Sequence, residues 1–240
     1  MLDYTQMKRD RGKFLAMTGL TLREFQALLP AFEQAYQKQS PPEKTMTGQA
    51  RQRQAGGGRT GTLKPIEQKL LFILVYQKTY PLQVVLGELF GLSQSGANQW
   101  IHRLLPVLLE ALAALGVKPE RAGPHVATAE RRTPAGHDYI IDGTERRRQR
   151  PKSPEKQALH YSGKKKAHSD KNVVLVQTRS TRVAYLGLTR PGKTHDKKAA
   201  DQERIAYPRR TILRKDTGFQ GYEPPVLASL QPKKSRGGMN

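Results

Sequence analysis

The chain has 240 residues, no cysteine, and 42 Lys plus Arg against 20 Asp plus Glu, a net charge of +22. The missing cysteine excludes disulfides and cysteine-ligated zinc and fits a reducing cytoplasm. No secretory h-region opens the chain, no apolar run approaches the roughly 20 residues that span a bilayer, and the charge excess makes nucleic acid the default partner.

Residues 13–38 read as helix. Thr21-Leu22-Arg23-Glu24 matches a capping box, with Leu20 and Phe25 at the staple positions. Phe25, Leu28, Leu29, Phe32 and Tyr36 recur at helical spacing and mark a face for core packing. Residues 39–62 form a basic Gly/Pro linker, with Ser40-Pro41-Pro42, Gly56-Gly57-Gly58, Arg51, Arg53 and Arg59. It is either a solvated tether or an arm along a DNA backbone.

Residues 63–118 read as three helices. Pro65 suits a first helical position, and Ile66, Leu70, Ile73 and Leu74 make one stripe. Pro81 opens a second helix, with Leu82, Val85, Leu86, Leu89 and Phe90 inward. Gly91-Leu92 turns the chain and Ser93 caps a third helix. A short helix, a turn with Gly and a longer helix make the pattern of a helix-turn-helix; an ordinary three-helix bundle shares its apolar spacing. On the third helix Ala97, Trp100, Ile101, Leu104 and Leu105 are apolar. Ser93, Gln94, Asn98, Gln99 and Arg103 are the candidates to contact DNA, because amides suit adenine edges and Arg suits guanine. Pro106 is expected to kink or end this helix, with Val107 to Leu115 continuing as apolar helix before Gly116. Pro119, Gly123, Pro124, Pro134 and Gly136 mark residues 119–136 as a second linker.

Residues 137–240 read as strand, strand, strand, helix, strand. Tyr139-Ile140-Ile141 is a short apolar run ending in Asp142-Gly143, and 172–178 and 182–189 are two more. Residues 195–206 read as helix, and 211–215 as a strand ending in Asp216. Two strand-end carboxylates in a basic domain suggest a divalent-metal site that works on phosphates, since hard oxygen ligands suit Mg²⁺ or Mn²⁺. Arg146, Arg148, Arg150, Lys164, Lys165 and Lys166 lie between the first two strands and suit phosphate-backbone tracking. A solvated hairpin is the alternative. Asp196 reads as a helix N-terminal acid, with a supporting role at the metal site as the alternative. The fold class is α/β within this part and α+β overall.

Taken together, these pieces resemble the DDE-superfamily transposases of bacterial insertion sequences, in the group that joins an N-terminal helix-turn-helix to an RNase H-like endonuclease domain. The resemblance is carried by Phe90-Gly91-Leu92-Ser93-Gln94-Ser95, Ile141-Asp142-Gly143-Thr144-Glu145, Gln149-Arg150-Pro151, His160-Tyr161-Ser162-Gly163-Lys164-Lys165-Lys166, Pro191-Gly192-Lys193-Thr194-His195-Asp196 and Lys215-Asp216-Thr217-Gly218-Phe219-Gln220-Gly221-Tyr222. It runs from about residue 64 to 232.

The resemblance implies a mixed sheet flanked by helices. It makes Asp142 and Asp216 the first two of three catalytic, metal-binding carboxylates, with a later Glu on a helix and two Mg²⁺ or Mn²⁺ ions. It implies cleavage and strand transfer on double-stranded DNA, at element ends and target, by a cytoplasmic, nucleoid-associated protein. It leaves room for a homodimer. The third carboxylate has no clear counterpart: Glu223 is the only acid after Asp216, and Pro224-Pro225 behind it disfavour a helix. The expectation is therefore a sheet domain incomplete at its C-terminus, to be completed by a segment encoded downstream. The alternative is a fragment that binds DNA and does not cut it.

Overall fold

The computed structural model describes residues 1–39, 49, 62–130 and 137–232. Most of the linker expected at 39–62, and residues 131–136 of the second, lie outside these. The chain divides into two compact units, Met1–Val117 and Lys118–Asn240.

The first unit is helical: α1 (Tyr4–Met7), α2 (Arg11–Thr18), α3 (Leu22–Gln39), α4 (Ile66–Thr79), α5 (Gln83–Phe90) and α6 (Gln94–Ala114). The single helix expected over 13–38 is two, because Gly19 turns left-handed (φ 74°) and ends α2. The capping box forms as expected. The Thr21 N–H donates to Glu24 at 2.7 Å, and the Glu24 N–H donates to Thr21 Oγ1 at 3.3 Å. Pro65 stands just before α4 as its cap, not as its first residue; its fixed φ of −68° serves extended backbone (ψ 152°) equally well.

One other expectation fails here. Leu82 and Val85 are exposed rather than inward, because α5 starts only at Gln83 and buries the Leu86–Phe90 stripe instead. Of the two courses open at Pro106, the chain does not end the helix there: α6 runs on to Ala114, in keeping with the apolar helix expected over residues 107–115. An internal proline costs about 3 kcal/mol. Beyond it Val107 and Leu108 are buried, each contributing about 1.5–3 kcal/mol. Packing therefore outweighs the missing backbone bond. Phe14, Phe25, Phe32, Phe72 and Phe90 are fully buried in this unit's core.

The second unit opens with a 3₁₀ turn (Gly123–His125) and α7 (Val126–Glu130). Then come β1 (Asp138–Arg147), α8 (Pro154–His160), β2 (Tyr161–Ser162), β3 (Ala167–Gln177), β4 (Val183–Leu186), β5 (Arg190–Pro191), α9 (Asp196–Glu203), β6 (Ile212–Lys215) and β7 (Ala228–Leu230). The sheet order is β2-β3-β1-β6-β7, with β4 and β5 also paired to β3. The pairing β1–β3 is antiparallel, while β1–β6 and β6–β7 are parallel, so the sheet is mixed and the fold α+β. The expected strand, strand, strand, helix, strand series is present as β1, β3, β4, α9 and β6. Tyr139, Ile141, Val173, Leu175, Tyr185, Leu213 and Phe219 pack with Ala199 and Ala200 of α9.

β1 does not stop at Asp142. It continues to Arg147 as a ribbon on β3, down to the pair Arg147↔Ser169. Cross-strand partners hold this extension: Arg146 donates to Asn172 Oδ1 at 2.7 Å, and Ser169 donates to Glu145. No helix among the described residues is long and apolar enough to cross a membrane.

Candidate active site

Asp142 lies where β1 loses its parallel neighbour. The β1–β6 ladder ends at Ile141↔Lys215, so Asp142 on β1 and Asp216, the residue just past β6, each come one position beyond it. The buried residues Tyr139, Ile141, Leu213 and Lys215 alternate with exposed ones, and both aspartates fall on exposed positions. Asp142 Oδ1 accepts the Gly143 N–H at 2.7 Å. Asp216 caps the short 3₁₀ turn Thr217–Phe219, its Oδ1 accepting the Gly218 N–H at 2.9 Å.

A third acid stands at the same place. A Cβ on Gly143 would lie 2.6 Å from Asp196 Oδ1, and one on Gly218 would lie 2.7 Å from Asp196 Oδ2. Asp196 is the first residue of α9, where a carboxylate suits the helix N-terminus, and it pairs with Lys171 Nζ of β3 at 2.9 Å. Glu223 belongs elsewhere. It lies outside any helix, and its Oε1 accepts from the buried Lys215 ammonium at 3.0 Å.

The basic residues divide into two sets. Arg146 is bonded to Asn172, Arg148 reaches Asp170 at 3.0 Å, and Arg150 donates twice to Gln157 Oε1 at 3.0 and 2.9 Å. Asp170 also takes His160 Nδ1 at 2.8 Å. Lys164, Lys165 and Lys166 stand exposed in the β2–β3 turn. An open groove of about 1080 Å³ collects Arg150, Lys164, Lys171, Lys193, His168 and His195, and it reaches Asp196 and Gly218. Among its charged side chains, Arg150, Lys164, Lys171 and Lys193 outnumber the acid Asp196, a balance that suits a polyanion.

In the helical unit, Ser93 caps α6 through the Gly96 N–H at 3.1 Å. Gly91 is left-handed (φ 66°), and a Cβ on Gly87 would meet the Leu92 carbonyl at 2.5 Å, so the turn between α5 and α6 is as tight as its glycines allow. Ser93, Gln94 and Gln99 are exposed and Asn98 half-buried. Arg103 is half-buried, its guanidinium 5.0 Å from the Tyr36 ring and 5.1 Å from that of Trp100. It stacks on aromatic faces and so helps to hold α6 against α3.

Two family models match the chain: "Helix-turn-helix of DDE superfamily endonuclease" over residues 61–114, and "DDE superfamily endonuclease" over residues 141–235. The chain belongs to the DDE superfamily. It is a transposase-like protein with a DNA-binding helix-turn-helix followed by an endonuclease domain. Neither a curated protein nor a solved structure matches it.

The DDE superfamily uses divalent metal ions, and the residues present fit such an ion in kind: Asp142 and Asp216 are exposed oxygen donors on neighbouring strands. Among the described residues, no three His, Asp or Glu side chains are grouped to hold one together. The sequence offered Asp196 both as a helix N-terminal acid and as a support of the metal site; it did not show the turns that Asp196 touches or the part of Lys171. Residues 191–196 were visible as a motif, but which turns their acid would touch depends on how α9 docks on the sheet.

Proposed function

We propose that this chain is the transposase of a bacterial insertion sequence, with Asp142 and Asp216 as its catalytic, metal-binding carboxylates. The observation that carries the reading is the Ile141↔Lys215 end of the parallel ladder, which brings the two aspartates to neighbouring exposed positions. They would hold Mg²⁺ or Mn²⁺. When bound, such ions supply an activated water or 3′-hydroxyl and stabilise the leaving oxygen of a displacement at phosphorus.

The chain's own residues do the rest. Gln94, Asn98 and Gln99 on α6 read the element ends in the major groove, with Ser93 capping the helix that presents them. Arg103 steadies α6 through Tyr36 and Trp100. Lys164, Lys165 and Lys166, with Arg150 at the groove, neutralise phosphates, while Arg146 and Arg148 hold the β1–β3 ribbon that displays Asp142. Recombination by strand transfer is the use to which the cut ends are put.

A second reading is a protein that binds element ends and does not cut them. It is favoured by one observation: the third acid at the site, Asp196, already has its charge matched by Lys171. The two readings are separated by incubating the chain with a duplex carrying an element end, in Mn²⁺ and then Mg²⁺. Nicking that disappears in Asp142→Asn and in Asp216→Asn supports the enzyme. Binding without any nicking supports the second reading. Nicking that survives both substitutions places the active site elsewhere.

A further inference from the structure

We infer that Asp196, clamped by Lys171, is the spacer that sets the separation of Asp142 and Asp216. The inference rests on those two residues forming the active site. Each of them bonds a backbone N–H of its own turn, which fixes its rotamer and leaves its distance from the other unset.

The glycines behind them are informative. Gly143 follows Asp142 directly, and Gly218 lies two residues after Asp216. Neither has the left-handed φ that would call for glycine on backbone grounds. Lack of space explains them instead. Oδ1 of Asp196 fills the position of a Cβ at 143, and Oδ2 fills that of a Cβ at 218. One carboxylate therefore rests against both turns, one oxygen on each.

That carboxylate is itself firmly held. It starts α9, whose Ala199 and Ala200 are fully buried against the sheet. Lys171, with only 10% of its side chain exposed, lies 2.9 Å from Oδ1. Oδ1 is buried and makes no aligned hydrogen bond, so this contact is an ion pair rather than a directed bond. The same ammonium donates to the Thr194 carbonyl at 2.9 Å, tying β3 to the segment that leads into α9. β3 in turn pairs with β1 at Lys171↔Glu145. A third carboxylate beside two others would repel them; the lysine makes the spacer neutral.

The test is a mutant cycle on the full chain, read by thermal unfolding and by calorimetric titration with Mn²⁺. Gly143→Ala drives a methyl into the Asp196 carboxylate, and Asp196→Ala removes what the methyl strikes. Gly143→Ala alone is expected to lower the unfolding midpoint and to weaken Mn²⁺ binding about tenfold, the usual size for a group supporting metal ligands. Both effects should shrink when Asp196→Ala is also present. Equal effects on either background would overturn the spacer. The pair Asp196→Asn with Lys171→Met keeps the volume and leaves no buried charge. It should retain Mn²⁺ binding to within about tenfold. A loss as complete as in Asp142→Asn would make Asp196 a ligand instead and overturn the inference. A wild-type chain that binds no Mn²⁺ would sink the proposed active site, and the unfolding arm of the cycle would still decide for or against the spacer.

Discussion

The helical unit keeps most of its polar groups out of the core. Gln94 and Gln99 on α6 are exposed, the buried set is mostly apolar, and the buried Lys69 finds the Lys64 carbonyl at 2.6 Å. The sheet unit places its polar groups inside. Glu130 takes the Tyr139 hydroxyl at 2.8 Å and the Arg182 guanidinium, while Glu203 takes the Tyr185 hydroxyl and Arg190 Nε at 3.0 Å. Arg146 and Arg148 are bonded to neighbours on β3. The difference follows from geometry. A ladder sets side chains of adjacent strands about 5 Å apart, within reach of an arginine, whereas Lys164, Lys165 and Lys166 stand exposed in a turn. Positive charge on β1 and just beyond it is therefore partly taken up by β3, and in the β2–β3 turn it stands exposed.

The largest effect should come from the buried carboxylates. Glu203→Ala leaves the Tyr185 hydroxyl and the Arg190 charge without their acceptor, and should cost about 3–5 kcal/mol in denaturant unfolding. Phe90→Ala in the helical unit should cost a similar amount, about 3–5 kcal/mol, through a cavity instead. If Glu203→Ala costs under about 1 kcal/mol, the size of a surface change, the contrast between the units is false.

Next in size is the split among the basic residues. Changing Lys164, Lys165 and Lys166 to Ala should flatten the salt dependence of duplex binding by about one unit of log–log slope for each phosphate that is no longer neutralised. Arg146→Ala and Arg148→Ala should lower the unfolding midpoint and move that slope less. An unchanged slope in the lysine variants would show that the turn faces bulk solvent even when DNA is bound.

The smallest effect concerns acid. Burial pushes the Glu145 carboxyl up, but bonds from the Ser162 and Ser169 hydroxyls and the charges of Lys171 and Lys165 outweigh it, leaving its pKa below the ordinary value. A carboxylate lowered by folding stabilises the fold above its unfolded pKa and loses that contribution as pH falls through the folded one. The sheet unit should therefore weaken on acidification below the ordinary carboxylate range. Ser169→Ala should make the unfolding midpoint less sensitive to pH there; an unaltered pH profile would show that Glu145 has no part in the acid response.

Much of this architecture was legible in the sequence. The apolar runs marked β1, β3, β4 and β6 in order, and the capping box marked the start of α3, because these signals are local. α8 was missed although Ser153-Pro154-Glu155 is a fair helix start; none of its residues is buried, so it leaves no apolar stripe to read. Leu82 and Val85 looked like core because an apolar residue carries no mark of which way its helix begins. The extension of β1 past Asp142 was hidden because residues 143–147 are polar and held by cross-strand partners over 20 positions away. Asp196 read as a helix-start acid, and it is one. That its oxygens also fill the space beside Gly143 and Gly218 follows from three elements packing together, and no single stretch contains it.

Asp142 and Asp216 are proposed together to make a divalent-metal site on the sheet unit. Titration of the full chain with Mn²⁺ in a calorimeter tests it most directly, with Asp142→Asn and Asp216→Asn measured alongside at the same pH and salt. Wild type is expected to give a saturable heat that is abolished in both variants while their unfolding midpoints stay near that of wild type. Binding that persists unchanged in either variant would contradict it.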